Sequence, residues 1–340
     1  MSLIVGLDIG GAHLKVALVE NGNLKNTRQI YCPLWQGLDN LDRALLEAAP
    51  LMSHKAEYAI TMTGELSDLF SDRSTGVKIL LEYIGDKLGS NVRVWMGSLG
   101  FGTVAQALTN RDHVGSTNFL ATATLISRHL QDGILMDFGS TTADIIPIRN
   151  GKPEPKGLTD TVRQRTGELV YTGYTRTAVM SVTDRVPFKG EWVSLAREYL
   201  ANMADIRRIL GTDLEEIDLH ATADGKDKSV TASLQRFARM LGTDQKEALE
   251  EEWRISALYV REQQITSLQD GLLQVLSRTP LTKSAPIIAA GIGEEVIFEI
   301  ASRLSITCFP FHKFISSSPD LQKLTNTCAP AVAVAMLVQE

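Results

Sequence analysis

At 340 residues, with 44% hydrophobic content and a formal net charge of −6, the chain is long enough for two cored domains and too apolar to be disordered. The acidic balance and the lack of a basic stripe argue against nucleic acid as a partner, and no apolar run is long enough to span a bilayer. Cys32, Cys308 and Cys328 are odd in number and widely spaced, and the N-terminus enters strand sequence without a signal peptide, so free thiols in a reducing cytoplasm are expected.

The first apolar run, Leu3 to Leu7, delivers Asp8 to the turn Ile9-Gly10-Gly11, and a second run, Leu14 to Val19, leads away to Asn21-Gly22. This reads as a hairpin followed by a type I′ turn. A third strand is expected near Lys25 to Tyr31. Strands at Tyr58 to Met62 and Val92 to Trp95 then alternate with helices around Leu45 and over Ile79 to Ile84, and helical periodicity from Asn118 to Leu130 suggests a crossing helix. The opening pattern now returns. Ile134 to Met136 delivers Asp137 to Phe138-Gly139-Ser140-Thr141-Thr142, and Asp144 with Ile145 to Ile148 leads to Asn150-Gly151, every matched residue offset by the same interval. A helical insertion at about 190–278 follows, with amphipathic helices expected over Trp192 to Leu210, Val230 to Leu241 and Gln245 to Leu276. Its acidic cluster, Glu247, Glu250, Glu251 and Glu252, reads as a solvated helix face. A buried strand at Ile287 to Ala290 meets the turn Gly291-Ile292-Gly293, a helix starts at about Glu294, and Ala329 to Val338 forms a closing helix. The expected division is an α/β domain over 1–130 and a second over 131–340.

Glycine lets a backbone approach a ligand closely and turn its N–H groups on an oxyanion, so Gly10, Gly11 and Gly139, with Ser140, Thr141 and Thr142, form a candidate phosphate grip. Asp8 and Asp137 end equivalent strands and are the candidate ligands of a divalent cation, Mg²⁺. One Asp-x-Gly alone is usually an ordinary turn. The repeat at preserved spacing is what marks a phosphate site.

The paired motifs resemble the phosphate-1 and phosphate-2 hairpins of the superfamily of actin, sugar kinases, acetate kinase and the heat-shock ATPase chaperones. The run Asp137-Phe138-Gly139-Ser140-Thr141-Thr142-Ala143-Asp144-Ile145 is most similar to its hydantoinase/oxoprolinase branch. That resemblance implies two ribonuclease-H-like domains facing a cleft, with Gly291 and Gly293 accepting phosphate or nucleoside at the third glycine turn. A narrower resemblance covers nearly the whole chain. Thr61 to Leu66, Asp137 to Pro147, Gly167 to Gly173, Asn202 to Asp205 and Thr222 to Gly225 resemble a family linked to tetrahydromethanopterin-dependent one-carbon metabolism. Its archaeal members join an aminomethylfuran-methyl diphosphate to the phenol of γ-glutamyltyramine and release diphosphate.

The resemblance implies a cytoplasmic transferase of furan-cofactor biosynthesis, acting on small molecules, with oligomeric state left open. Asp8 and Asp137 would hold Mg²⁺. Lys15 departs from the hydantoinase pattern, which has an acidic residue there, and supplies a cation for diphosphate unless it merely snorkels to solvent. His13 is either a cleft donor or a packing group. Glu65 or Asp144 would accept the phenolic proton; Asp68, beside Glu65, is a weaker candidate. Arg163, Arg165, Glu168 and Tyr171, with Arg176, would bind substrate, while Asn202, Asp205 and Arg208 read as an internal hydrogen-bonded set. Two alternatives use the same loops: an ATP-dependent kinase or hydantoinase-like enzyme, and a nonenzymatic nucleotide-sensing switch.

Overall fold

The computed structural model describes residues 2–53, 55–279, 281–282 and 284–339. Apolar residues at nearly every position make β1 (Leu3–Ile9) a central strand, buried on both faces. It pairs antiparallel with β2 (His13–Glu20), which pairs with β3 (Asn23–Tyr31). Helix α1 (Asp39–Ala48) buries Leu41, Ala44, Leu45 and Ala48 on one face and leads to β4 (Glu57–Met62), parallel to β1. Helix α2 (Arg73–Leu88), capped by the Asp72 side chain on Thr75 N at 2.9 Å, leads to β5 (Val92–Trp95) and the short edge strand β6 (Phe101–Gly102). The sheet order is β3-β2-β1-β4-β5-β6. Helices α3 (Val104–Thr109) and α4 (Asn118–Ser127) close this half.

The second half rebuilds the arrangement with β7 (Gly133–Phe138), β8 (Ala143–Arg149) and β9 (Lys152–Pro153), then α5 (Asp160–Arg165) and β10 (Leu169–Val170). The insertion holds the hairpin β11 (Arg185–Phe188) and β12 (Glu191–Ser194), then α6 (Met203–Ile209), α7 (Val230–Met240) and α8 (Glu250–Arg278). Strand β13 (Ile287–Ala290), helix α9 (Glu294–Arg303) and β14 (Cys308–Pro310) complete a sheet ordered β10-β8-β7-β13-β14, with β13 parallel to β7. Helices α10 (Gln322–Thr327) and α11 (Ala329–Leu337) end the chain. The expected two-part α/β architecture is therefore present, and both Asn-Gly turns adopt the mirror-image form: φ is 49° and 77° at Asn21 and Gly22, 51° and 69° at Asn150 and Gly151.

Helix α11 is buried on all sides because it lies between the halves. Although it follows the second half in sequence, it packs on β1, β2 and β4, while α4 packs on β7, β8 and β9, and the two helices touch. One hydrophobic core thus runs from Ile4 and Ala17 through α4 and α11 to Leu135 and Ile146. Gly6 permits this contact: a Cβ there would lie 2.0 Å from Ala331 O.

The insertion differs most from expectation. Trp192 to Leu210 is not one helix. Lys189 and Gly190 take positive φ (50° and 82°) and form the β11–β12 turn, and helix begins only where Asn202 and Asp205 cap each other's backbone. The Gln245 to Leu276 helix is broken at its start: Gln245–Glu247 is a 3₁₀ turn, and Leu249 N is capped by Glu252 at 2.7 Å before α8. Glu247, Glu250 and Glu251 face solvent. No helix of the described residues is long and apolar enough to cross a membrane.

Candidate active site

The two hairpin turns close with the same hydrogen bond, Gly10 N to His13 O at 2.9 Å and Gly139 N to Thr142 O at 3.0 Å. Each sheet braces its turn from the neighbouring parallel strand: Thr63 N and Gly64 N both donate to Ile9 O at 2.9 Å, and Gly293 N donates to Phe138 O at 3.0 Å. Strand pairing sets Asp8 opposite Lys15 and Asp137 opposite Asp144. Both turns line one cleft of about 750 Å³. A Cβ on Gly11 would meet nothing within 4 Å, so packing does not require glycine there; its bareness serves the cleft.

Where the two hairpins meet in this cleft, Asp8, Asp137 and Asp144 gather with Lys15 and Arg163. Lys15 Nζ lies 3.8 Å from Asp8 Oδ2, and Arg163 is hydrogen-bonded to Asp144 and stacks over the Phe119 ring at 3.6 Å. Burial pushes the Asp137 carboxyl up to about 7, a shift that Lys15 opposes and Asp144 and Asp8 reinforce. Burial also raises Asp8, against Lys15 and a hydrogen bond from Asn118. Lys15 loses hydration too, yet Asp8, Asp137 and Asp144 together hold it charged and raise its pKa. Its side chain stays in the cleft and does not snorkel out. Asp8 Oδ1 is buried without a hydrogen-bond partner, and carboxylates outnumber cations. No group of three or more ligating side chains could alone enclose a metal among the described residues. Asp8, with its unpartnered oxygen, and Asp137 would be the residues to hold Mg²⁺, an ion that takes one or two carboxylates and completes its shell with water and phosphate.

Ser140, Thr141 and Thr142 line the cleft, and Arg176 Nη1 donates to Thr141 Oγ1 at 2.9 Å. Tyr171 also lines it, 66% exposed at the mouth. Four expected site residues have other tasks. Glu65 is fully buried, accepting from Ser116 Oγ at 2.6 Å beside Arg73, so it clamps the loop behind the cleft wall and is not placed to take a proton from substrate; Asp68 is the carboxylate of that loop that lines the cleft. Glu168 is fully buried, paired with Arg278 and accepting from Lys156 N, and reaches the cleft only through its carbonyl on Arg163. Arg165 is exposed, outside the cleft lining. Gly293, the fourth, together with Gly291, backs onto Phe138: added Cβ atoms would sit 2.3 Å from the Phe138 ring and 2.4 Å from its carbonyl oxygen, respectively. Close packing of turn on strand requires both glycines, and Gly291 lines a smaller adjoining cavity.

Sequence reasoning missed an aromatic cluster at the cleft. His220, from the insertion, packs edge-on to His13 (4.6 Å) and Tyr31 (5.2 Å) and stacks on Trp35 (6.3 Å), whose ring also lies 5.2 Å from Arg176. His13 is therefore buried, and burial with His220, Lys15 and Arg176 nearby holds it neutral. Nothing in local spacing ties residue 220 to residue 13. Asn118, which lines the cleft and helps lower the pKa of the Asp8 carboxyl, was equally hidden at the start of a helix.

Comparison with known proteins follows this geometry. The model of the hydantoinase/oxoprolinase family matches residues 56–340. The (4-{4-[2-(gamma-L-glutamylamino)ethyl]phenoxymethyl}furan-2-yl)methanamine synthase of Methanocaldococcus jannaschii is 30% identical over 340 residues, 99% of this chain and 98% of its own. That of Methanococcus vannielii is 30% identical over 207 residues, 61% of this chain and 90% of its own. Among solved structures, a nucleotide-free acetone carboxylase superposes with a TM-score of 0.57 at 10% identity, over 98% of this chain and 70% of that one. A ROK family glucokinase from Streptomyces griseus gives 0.50 at 14% identity over 100% of both. These two share the fold. The chain belongs to the hydantoinase/oxoprolinase family, in the branch that contains the archaeal furan-methanamine synthases.

Proposed function

We propose that this chain is a transferase that forms an aryl ether: it joins a furanylmethyl diphosphate to a tyramine-type phenol and releases diphosphate. The full-length relationship to synthases whose named product contains a phenoxymethyl-furan ether supports the reaction. Within the cleft, the observation that carries the reading is Lys15. A cation held charged by three carboxylates stands where its counterpart in the second hairpin is Asp144, and it faces the space between both phosphate turns.

In the reaction, the phenol oxygen bonds to the methylene carbon as the bond from that carbon to the diphosphate oxygen breaks. The electron pair leaves with diphosphate, and the furan ring spreads the positive charge developing on carbon. Lys15 and the N–H groups of the glycine turns are positioned to stabilise charge gathering on the leaving group, an interaction that strengthens toward the transition state. Mg²⁺ held by Asp8 and Asp137 would supply further neutralisation of that charge. With Glu65 buried behind the wall, Asp144, which lines the cleft, is the carboxylate left to accept the phenolic proton; burial and the cations around His13 weaken that imidazole as a base.

A thermal melt tests the ligand class. With Mg²⁺ present, a furanylmethyl diphosphate at about 100 times its Kd should stabilise the protein by roughly 2.7 kcal/mol, read as a rise in Tm, while ATP should give little. Stabilisation by ATP alone would reject the proposal.

A further inference from the structure

The smaller cavity, about 300 Å³, lies beneath the turn between β13 and α9 and shares Ile292 and Thr327 with the main cleft. Arg207 of α6 lines it and is 2% exposed. Its Nε donates to Tyr174 O at 2.8 Å, its Nη2 to Gln264 Oε1 at 2.9 Å, and its guanidinium lies 3.6 Å over the Tyr174 ring. Other buried arginines in this protein have a carboxylate partner: Arg163 has Asp144, Arg208 has Asp218, and Arg236 has Asp205. Arg207 has no carboxylate within ion-pair distance among the described residues; Glu295 and Glu299 act on it only from farther away. A buried guanidinium whose carboxylates stand off is only partly compensated, and a carboxylate is the ligand group that matches its fork.

Carboxylates line the same cavity, with Arg261 and Lys323 as its other cations. Glu294 and Glu295 begin α9, and burial with Glu295 alongside pushes Glu294 up to about 7. Two carboxylates and a guanidinium lining one cavity match a ligand carrying an ammonium and a carboxylate on one carbon.

We propose that this cavity binds the free α-amino-acid head of a γ-glutamyl acceptor, with Arg207 taking the α-carboxylate and Glu294 and Glu295 the α-ammonium. The inference rests on the transferase reading above and specifies its acceptor. Linkage through the γ-carbonyl leaves both charged groups of the glutamate free, and Ile292 and Thr327, which line both cavities, set this subsite beside the main cleft. A neutral nucleoside in the same cavity would leave Arg207 unmatched.

Calorimetry on the full chain with γ-glutamyltyramine, tyramine and adenosine, without diphosphate donor, measures the subsite apart from turnover. γ-Glutamyltyramine should bind at least about tenfold more tightly than tyramine, and Arg207→Gln should erase most of that preference. Glu295→Gln, at an exposed carboxylate of the cavity, gives the same readout without disturbing the core and should weaken γ-glutamyltyramine severalfold. Equal binding of the two phenols, a preference that survives both substitutions, or displacement of γ-glutamyltyramine by adenosine would overturn the assignment. Ether formation from both phenols with equal kcat/KM would sink the subsite and leave the transferase standing. Selective, Arg207-dependent binding without ether formation from either phenol would do the reverse.

Discussion

Asp137 combines two demands that a structural residue does not face together. Its carboxyl is buried next to Asp8 and Asp144, and its pKa is raised to about 7 from an ordinary value of 3.8. The native state therefore holds a proton that the unfolded chain releases, so the group favours folding at low pH and this stability is lost as pH rises from about 4 through 7. Asp137→Asn keeps the volume and removes the charge. At pH 8 it should raise Tm by at least roughly 2 °C over wild type, with the gap closing near pH 4, while turnover is nearly abolished. Wild-type turnover with an intact melt would remove Asp137 from the site. Lys15→Ala is the complementary change. If Lys15 contacts the departing diphosphate, kcat should fall at least about tenfold, and a rise in KM at constant kcat would instead assign it to ground-state binding.

The hairpins and their braces act as units. Gly173 shows how tightly: a Cβ there would lie 2.0 Å from Ser140 O, while Tyr174 N and Arg176 N hold Gly139 O and Ser140 O at 2.9 and 3.0 Å. Gly173→Ala must displace the glycine turn of the second hairpin. It should cost about 1–3 kcal/mol in denaturant unfolding and lower kcat at least about tenfold, and a fully active variant would show that turn geometry is not limiting. These hairpins were legible in sequence because their chemistry is local: an aspartate at a strand end, bare glycines, an Asn-Gly turn. The insertion was less so. Trp192 to Leu210 has apolar residues that also fit a helix, and only the Lys189-Gly190 turn and the Asn202 cap reveal the hairpin and late helix start. Charged loop residues look alike in sequence, yet Asp144 and Arg163 line the cleft while Glu65 and Glu168 are buried behind it, a difference fixed by Ser116 and Arg278 far away in sequence, with Arg73 beside Glu65. His220 and Arg207 reach the cavities from the insertion, so no local pattern could place them.

At the scale of the molecule, α4 and α11 each pack on the sheet of the opposite half, so the two sheets share one core and their turns face each other across a single cleft. Gly6 lets α11 seat on β1. Gly6→Val would force side-chain atoms into Ala331 and Ala335, and should destabilise the whole chain in a single transition by roughly 3 kcal/mol or more; loss of one half alone, seen as two separate melting steps, would show the halves to be independent.

The same union of two phosphate turns poses the central question of what leaves the cleft. The substrate assigned here already carries its leaving group, so no phosphoryl transfer is needed. Purified protein with Mg²⁺, a furanylmethyl diphosphate and γ-glutamyltyramine, in the absence of ATP, should give the aryl ether by mass spectrometry with one diphosphate released per ether formed. Ether formation that requires ATP, with ADP appearing in step with product, would contradict the account.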